Sequence, residues 1–427
     1  PPRYFRPLPG QTGWQEPERV SLAANHLISR GVLLALGAAF AYVGVVGSSG
    51  NQFTLIGVLG WFVSVLFVIW AVAPDGWTPL GALAAAGHAL EGWRPRLTWA
   101  GVLLLLIMAV GLLLRVQDLP LAPREMTSDH VEMLLDTFRL EQGNTSVFFA
   151  GNGGREALQF YALALFSGLP GQSLSFDSLK LLNVLEGVLT LPALYFMSKT
   201  VIGRQRPTLG VVVGLCVAAL VAVSYWHITL SRLGERIILT PLFVSLFILT
   251  FTRALRGNRI WDFVLTGIVL GAGLYTYQVT RLLPVVVVVG AVIAFAFHWR
   301  GRLGLRRLVV NTLLLALVSF TLFVPLFAYS LEYPQDFWRR TSGRLFGDAI
   351  LQTTDEAGNL VSREATIGER LEAFGDNVPQ LAANFGNALL MYQWRGDVAW
   401  FQSASLKPAF DPISAALLAV GLGAWAF

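Results

Sequence analysis

The sequence predicts an all-α integral membrane protein, a polytopic bundle of about ten or more transmembrane helices. Composition is the first sign: of 427 residues, 55% are hydrophobic and 13% charged, and the mean hydropathy of +0.60 is far from that of a domain folded in water. Run length is the second, because crossing the hydrocarbon core takes roughly 20 mostly apolar residues. Such runs fall near 31 to 48, 53 to 73, 98 to 115, 179 to 200, 209 to 227, 236 to 253, 262 to 280, 284 to 299, 308 to 330 and 411 to 427. The third sign is where the cations lie. With the N-terminus in the cytoplasm, Arg94, Arg96, Lys199, Arg204, Arg206, Arg253, Arg256, Arg259, Arg300, Arg302, Arg306 and Arg307 all fall in short inner loops, the positive-inside pattern. Two long polar segments, 116–178 and 331–410, then lie outside.

The expected organisation follows in chain order. Residues 1–30 form a Pro-rich cytoplasmic segment, and 31–96 an accessory helical hairpin turned at Gly47–Gln52 with a small-residue linker over Gly76–Trp93. No cleavage site follows the first apolar run, so the first helix is expected to be retained. A transmembrane core spans 97–330 and includes the first outer loop, 331–410 is a mostly helical outer cap, and 411–427 is a final helix after which the chain is expected to continue. Gly267 and Gly271, four apart, allow a close helix approach.

Both outer loops contain amphipathic patterns. Val131, Leu134, Leu135 and Phe138 share one helical face while Asp129, Glu132 and Asp136 share the other. Thr127 and Ser128 are N-cap candidates that put Asp129 in the first turn, and this helix is expected along the membrane surface. A Gly151-Asn152-Gly153-Gly154 turn leads into a helix over 155–166 with Arg155 and Glu156 at its tip. In the second loop, Ile367, Leu371, Phe374, Val378 and Leu381 keep helical spacing, and Pro379 is expected to divide the stretch in two.

Several function classes lose support at this stage. The lone Cys216 rules out an intramolecular disulfide and a cysteine metal site. The net charge of +5 comes from cations scattered at helix ends, not gathered on one face with stacking aromatics, so nucleic acid is not an expected partner. The expected partner of these surfaces is the lipid bilayer.

Ionisable groups near a membrane are costly and mark function where they concentrate. Here they gather at outer helix ends: Arg124, Glu125, Asp129, His130 and Glu132; Arg155 and Glu156; His227, Arg232, Glu235 and Arg236; Tyr275, Tyr277 and Arg281. A carboxylate beside water can act as general base toward a hydroxyl, which makes Asp129 and Glu156 the candidate catalytic residues. Glu156 with His130 or His227 is a candidate set for a divalent metal cation. Glu186 lies inside a helix and is expected to pair with Lys180 or Arg236, and Trp394, Arg395, Gly396, Asp397 and Trp400 read as a flap.

Four stretches together resemble the GT-C glycosyltransferases, in particular the protein-mannosyltransferase and aminoarabinose-transferase-like branch, family 39. They are Glu125-Met126-Thr127-Ser128-Asp129-His130, Gly154-Arg155-Glu156, Ser231-Arg232-Leu233-Gly234-Glu235-Arg236, and Tyr275 through Pro284. The resemblance covers about Leu97 to Phe427. It implies transfer of a sugar from a polyprenyl-phosphate donor to a protein, lipid or glycan acceptor on the outer face of a bacterial plasma membrane, with inversion and with Asp129 as the loop carboxylate. On that resemblance His130, Arg155, Arg232, Arg236, Tyr275, Tyr277 and Arg281 are candidates for holding substrate or lipid phosphate, since a guanidinium presents a planar fork to phosphate oxygens. The alternatives are a transporter or flippase of a lipid-linked or polar substrate, and a noncatalytic GT-C-like subunit.

Overall fold

The computed structural model describes residues 24–92, 94, 98–204, 206–298, 302–348, 350–354, 360–396, 398 and 405–426. Most of the N-terminal segment, Arg96, Arg300, Asp397 and Trp400 lie outside the described residues. The elements are α1 (Ala24–Val46), α2 (Leu55–Val72), α3 (Pro79–Glu91), α4 (Trp99–Val116), α5 (Ser128–Glu141), β1 (Phe148–Phe149), β2 (Arg155–Glu156), α6 (Leu158–Ser167), α7 (Phe176–Ile202), α8 (Pro207–Val223), α9 (Tyr225–Leu233), α10 (Leu239–Gly257), α11 (Ile260–Gly273), α12 (Leu283–His298), α13 (Arg302–Glu332), α14 (Pro334–Phe346), β3 (Ile350–Thr354), β4 (Leu360–Glu364), α15 (Ile367–Leu390) and α16 (Pro412–Ala426).

The protein is therefore an all-α polytopic chain. Among the described residues seven helices are long and apolar enough to cross a membrane, and α8 with α9, bent by 59°, makes an eighth if counted as one span. Two of the ten predicted segments are shorter than expected: 262–280 becomes α11 with 14 residues and 411–427 becomes α16 with 15. The linker expected at Gly76–Trp93 contains α3, which starts because Thr78 accepts from the Gly81 N–H and Pro79 occupies the first turn.

Two compact units divide the chain. The first comprises Pro1–Val110, Val188–Ala219 and Arg236–Leu326. In it α1 and α2 meet along glycines: a Cβ on Gly47 would overlap Gly57, and Ser64 donates to the Gly37 carbonyl at 2.8 Å. The hairpin is not set apart as an accessory pair. Val68 and Val72 pack with Val264 and Val318, and Trp61 Nε1 donates to the Thr321 carbonyl at 3.1 Å. Gly267 and Gly271 act as predicted, since a Cβ on Gly267 would stand 2.7 Å from the Leu315 carbonyl oxygen, and one on Gly271 2.6 Å from Leu322 Cβ.

The second unit comprises Gly111–Gly187, Leu220–Glu235 and Phe327–Phe427. Its core joins Met133 and Leu140 of α5 to Phe149, Phe160, Leu163, Leu179 and Leu182, and each such side chain, fully buried, contributes about 1.5–3 kcal/mol. The predicted face of α5 is not the one that packs inward. His130, Met133, Thr137 and Leu140 are buried, whereas Val131, Leu135 and Phe138 are exposed and Leu134 alone of that face touches the core. The expected helix over 155–166 begins later, at Leu158, because Arg155 and Glu156 pair as β2 with Phe149 and Phe148. After α13, α14 leads to the antiparallel β3–β4 hairpin and α15. Pro379 does not divide α15, a continuous helix of 24 residues opened by a Thr366–Glu369 capping box.

Candidate functional site

Within the second unit, the candidate site is built on the first turn of α5. The Thr127 N–H donates to His130 Nδ1 at 3.0 Å, so the imidazole fills the place that Glu or Gln takes in a capping box. An Nδ1 that accepts leaves the proton of neutral imidazole on Nε2. That nitrogen lies 3.4 Å from Glu235 Oε1, and the ring lies against Phe176 with centroids 4.8 Å apart. Burial pushes the His130 pKa below its ordinary value. The Asp129 charge and the Leu233 carbonyl oppose that shift, and Lys180 adds to it. His130 is therefore a neutral cap that fixes the start of α5.

Asp129, half-buried one residue earlier, accepts a hydrogen bond at Oδ1 from the Asn152 amide. Asn152 belongs to the 151–154 turn, where Asn152, Gly153 and Gly154 all have positive φ. Gly154 is required there, because a Cβ at φ +93 would stand 2.7 Å from the Phe148 ring. The turn then delivers Arg155, whose Nη2 bonds Asp136 Oδ2 at 2.7 Å and Glu132 Oε2 at 3.1 Å while the guanidinium lies over Phe160. Asp129, Glu132 and Asp136 share a face of α5, as predicted. Arg155, expected to meet a phosphate, ties that face to β2. Glu156 is fully buried opposite Phe148.

The other candidates in this unit are similarly engaged. Arg232 of α9 donates to the carbonyls of Leu114 at 3.2 Å, Asp118 at 3.1 Å and Ala122 at 3.4 Å, so it binds the loop after α4. His227 Nδ1 lies 2.8 Å from Nη2 of Arg115. Arg115, fully buried, also donates to Gly111, Val221 and Ala222 carbonyls and to Ser231 Oγ. At the bend after Val223 the Val221 carbonyl keeps a backbone donor in the Ser224 N–H at 3.3 Å, and Arg115 donates to it and to the Ala222 carbonyl. Glu186 accepts from Gln159 Nε2 at 3.1 Å, Gln159 also bonds Asn183, and Asn183 donates to the Glu235 carbonyl. Lys180, an expected partner of Glu186, bonds Asp177 and the carbonyls of Leu119 and Pro123. Of the flap, Gly396 N–H donates to the Leu406 carbonyl at 3.1 Å, and Lys407 lies over the Tyr225 ring.

Arg236, Tyr275, Tyr277 and Arg281 belong to the first unit. The two tyrosines are not on a helix as expected: α11 ends at Gly273, and Tyr277 precedes a short 3-10 turn, Gln278–Leu282, that carries Arg281. Tyr275 is buried, donates to the Leu322 carbonyl at 3.0 Å and packs on Trp61. Arg236 is buried with its guanidinium 5.0 Å from the centre of the Tyr277 ring.

The candidate metal set does not assemble. Among the described residues no group of three His, Cys, Asp or Glu side chains could hold a metal ion. His130 Nδ1 is occupied by its cap and His227 Nδ1 faces a guanidinium, so neither presents that nitrogen to a cation.

Sequence reasoning missed a cleft of about 520 Å³ lined by Asn152, Gly153, Arg339, Arg340, Gly343, Arg344 and Asp348. Phe337 anchors α14 by packing on Phe148, ring centroids 5.5 Å apart, and Arg340 Nη2 donates to the Asn152 carbonyl at 2.6 Å. The signal was present as three arginines within one turn and a half of a Pro-started segment, Arg339, Arg340 and Arg344. No family model, curated protein or solved structure matches the chain.

Proposed function

We propose that the chain is a membrane glycosyltransferase of GT-C type, similar to the protein-mannosyltransferase and aminoarabinose-transferase branch. It moves a sugar from a polyprenyl-phosphate donor to an acceptor on the non-cytoplasmic face of a bacterial plasma membrane, and the N-terminus is cytoplasmic. In this reading α11 and α16 complete ten membrane segments together with the seven long helices and the bent pair. The observation that carries the reading is the placement of Asp129: a half-buried carboxylate in the first turn of α5, bonded to Asn152, which itself lines an arginine-rich cleft.

The chemistry this placement supports is a single displacement. The Asp129 carboxylate takes the proton of the acceptor hydroxyl as its oxygen bonds to the anomeric carbon. The bond from that carbon to the phosphate oxygen breaks, and the electron pair leaves with the lipid phosphate. Attack opposite the leaving group inverts the anomeric centre. Helix N-terminal polarity and the Asn152 amide stabilise the carboxylate before reaction.

The test is lipid-phosphate release by the purified protein given polyprenyl-phosphate sugars. Asp129→Asn keeps the helix start and is expected to lower turnover by roughly 10²–10⁴-fold, the usual worth of a general base. Turnover at the wild-type rate would remove Asp129 from the mechanism, and vesicle uptake without sugar transfer would favour the transporter reading.

A further inference from the structure

A donor of this kind needs cations for its phosphate, yet two arginines of the second unit that sequence reasoning nominated have other work. Arg155 is bonded to two carboxylates and Arg232 to three carbonyls. We propose that the cleft between the 151–154 turn and α14 is the seat of a lipid-borne phosphate, with Arg339, Arg340 and Arg344 as its cations. Its assignment to the lipid phosphate of the donor rests on the function proposed above; the recognition of phosphate does not.

Charge imbalance is the first reason. Three guanidinium groups and one carboxylate, Asp348, line the same cleft, and Arg340 and Arg344 stand four apart on α14. Like charges at that spacing destabilise a helix by about 0.2–0.5 kcal/mol, a cost that an anion shared between them reverses.

The second reason is preorganisation. Arg340 is held by the Asn152 carbonyl at 2.6 Å, and it can lie across the turn only because residue 153 is glycine: at φ +75 a Cβ there would come within 2.9 Å of Arg340 Nε. Gly343 adds no side chain between the arginines; a Cβ there would meet only Asp348 Oδ1, at 3.4 Å. A guanidinium fixed in this way offers phosphate its donors at reduced entropic cost.

Size and position complete the case. The cleft, about 520 Å³, is open to solvent, so a phosphate can sit against the arginines while its attached group extends outward. Asn152 joins the seat to the base: its carbonyl holds Arg340 and its side-chain amide holds Asp129. The anion bound there would therefore be one residue away from the carboxylate that deprotonates the acceptor.

The experiment measures binding of polyprenyl monophosphate to the full chain in detergent, by calorimetry, for wild type, Arg340→Gln, the double variant Arg339→Gln/Arg344→Gln and, as a charge control, the exposed Arg139→Gln. Melting curves establish that each variant is folded. Loss of one charge-assisted contact predicts affinity at least about tenfold weaker for both cleft variants, and wild-type affinity for Arg139→Gln. Competition by inorganic phosphate supports the phosphate group as the element recognised. Competition by phosphatidylglycerol vesicles at equal phosphate overturns the assignment to the polyprenyl carrier and gives the cleft to bilayer headgroups. Wild-type affinity in both folded cleft variants overturns the seat altogether. Binding through the arginines with no sugar transfer from any donor would leave the seat standing and defeat the transferase reading, whereas transfer with unchanged donor KM in the cleft variants would do the reverse.

Discussion

Replacing Arg155 with Gln separates a structural tie from a phosphate clamp. The Arg155–Asp136 bond is 2.7 Å long between side chains 4% and 14% exposed, and breaking a buried pair by removing one partner costs about 3–5 kcal/mol. The second bond, to Glu132, adds only about 0–1 kcal/mol because that carboxylate is 43% exposed and screened by solvent. A Gln amide can still donate one neutral hydrogen bond, which recovers about 1 kcal/mol. Asp136 also keeps Arg139 at 3.0 Å, so the expected net loss is near the lower end, about 2 kcal/mol. The assay is a double-mutant cycle with Asp136→Asn, read by chemical unfolding in detergent and by hydrogen exchange of α5. A coupling of about 2 kcal/mol is expected, with faster exchange along α5. Coupling under about 0.5 kcal/mol together with a raised donor KM would refute the tie and return Arg155 to the phosphate.

Further expectations concern the pieces that hold the site in place. Because the folded-state pKa of His130 is lowered, the unfolded chain binds more protons below about pH 6.5, so stability falls as pH drops through that value and the penalty is absent above it; melting temperatures from pH 8 to 5 should show this acid slope in wild type and a shallower one in His130→Gln, whose amide can still cap Thr127. Arg115→Leu removes the side-chain donor of the Ala222 carbonyl, while the Val221 carbonyl keeps the Ser224 N–H and His227 Nδ1 stays within 3.3 Å of Ser231 Oγ, so a loss of about 1–3 kcal/mol, that of one orphaned buried group, is expected, measurable by denaturant unfolding in detergent; a change within about 0.5 kcal/mol would mean that the bend does not depend on it. Gly154→Ala forces a Cβ onto the Phe148 ring at positive φ, and a loss exceeding about 1 kcal/mol, with weakened protection of the 148–156 amides, is the expected result of thermal unfolding with hydrogen exchange.

Hydropathy made the spanning helices legible because it reports the solvent, and the solvent of this chain is apolar along most of its length. Local chemistry was legible too: Thr127 begins α5 and Asp129 sits in its first turn, and the Gly267–Gly271 pair marks the face that meets α13. Pairings across long sequence distance were not. Nothing near Arg155 specifies a two-residue strand against Phe148 and Phe149, and nothing near Tyr275 announces that α11 stops at Gly273. Pro379 misled for a related reason: a proline interrupts one backbone bond, and the surrounding helix formers carry α15 through it. The exposed stripe of α5 and its buried face both contain apolar residues, so periodicity showed the first and not the second, which packs on the core.

Sequence treats every arginine near a membrane surface as equally available, and the fold sorts them by burial. A guanidinium taken out of water must have its donors matched, so Arg115, fully buried, is saturated by carbonyls, a hydroxyl and an imidazole, while Arg155 is tied through Nη2 to two carboxylates. Arg115 has little left to give a ligand, and removal of either side chain is felt as lost stability. The arginines of α14 are in the opposite situation. Arg339 and Arg344 are exposed, and Arg340 is half-buried and steered by a single carbonyl. Water satisfies them in the free protein and can be displaced by an anion at modest cost. Selective effects on substrate affinity are therefore expected from the cations that the fold leaves wet around a cleft, and effects on folding from those it buries, which inverts the ranking that sequence position alone suggested.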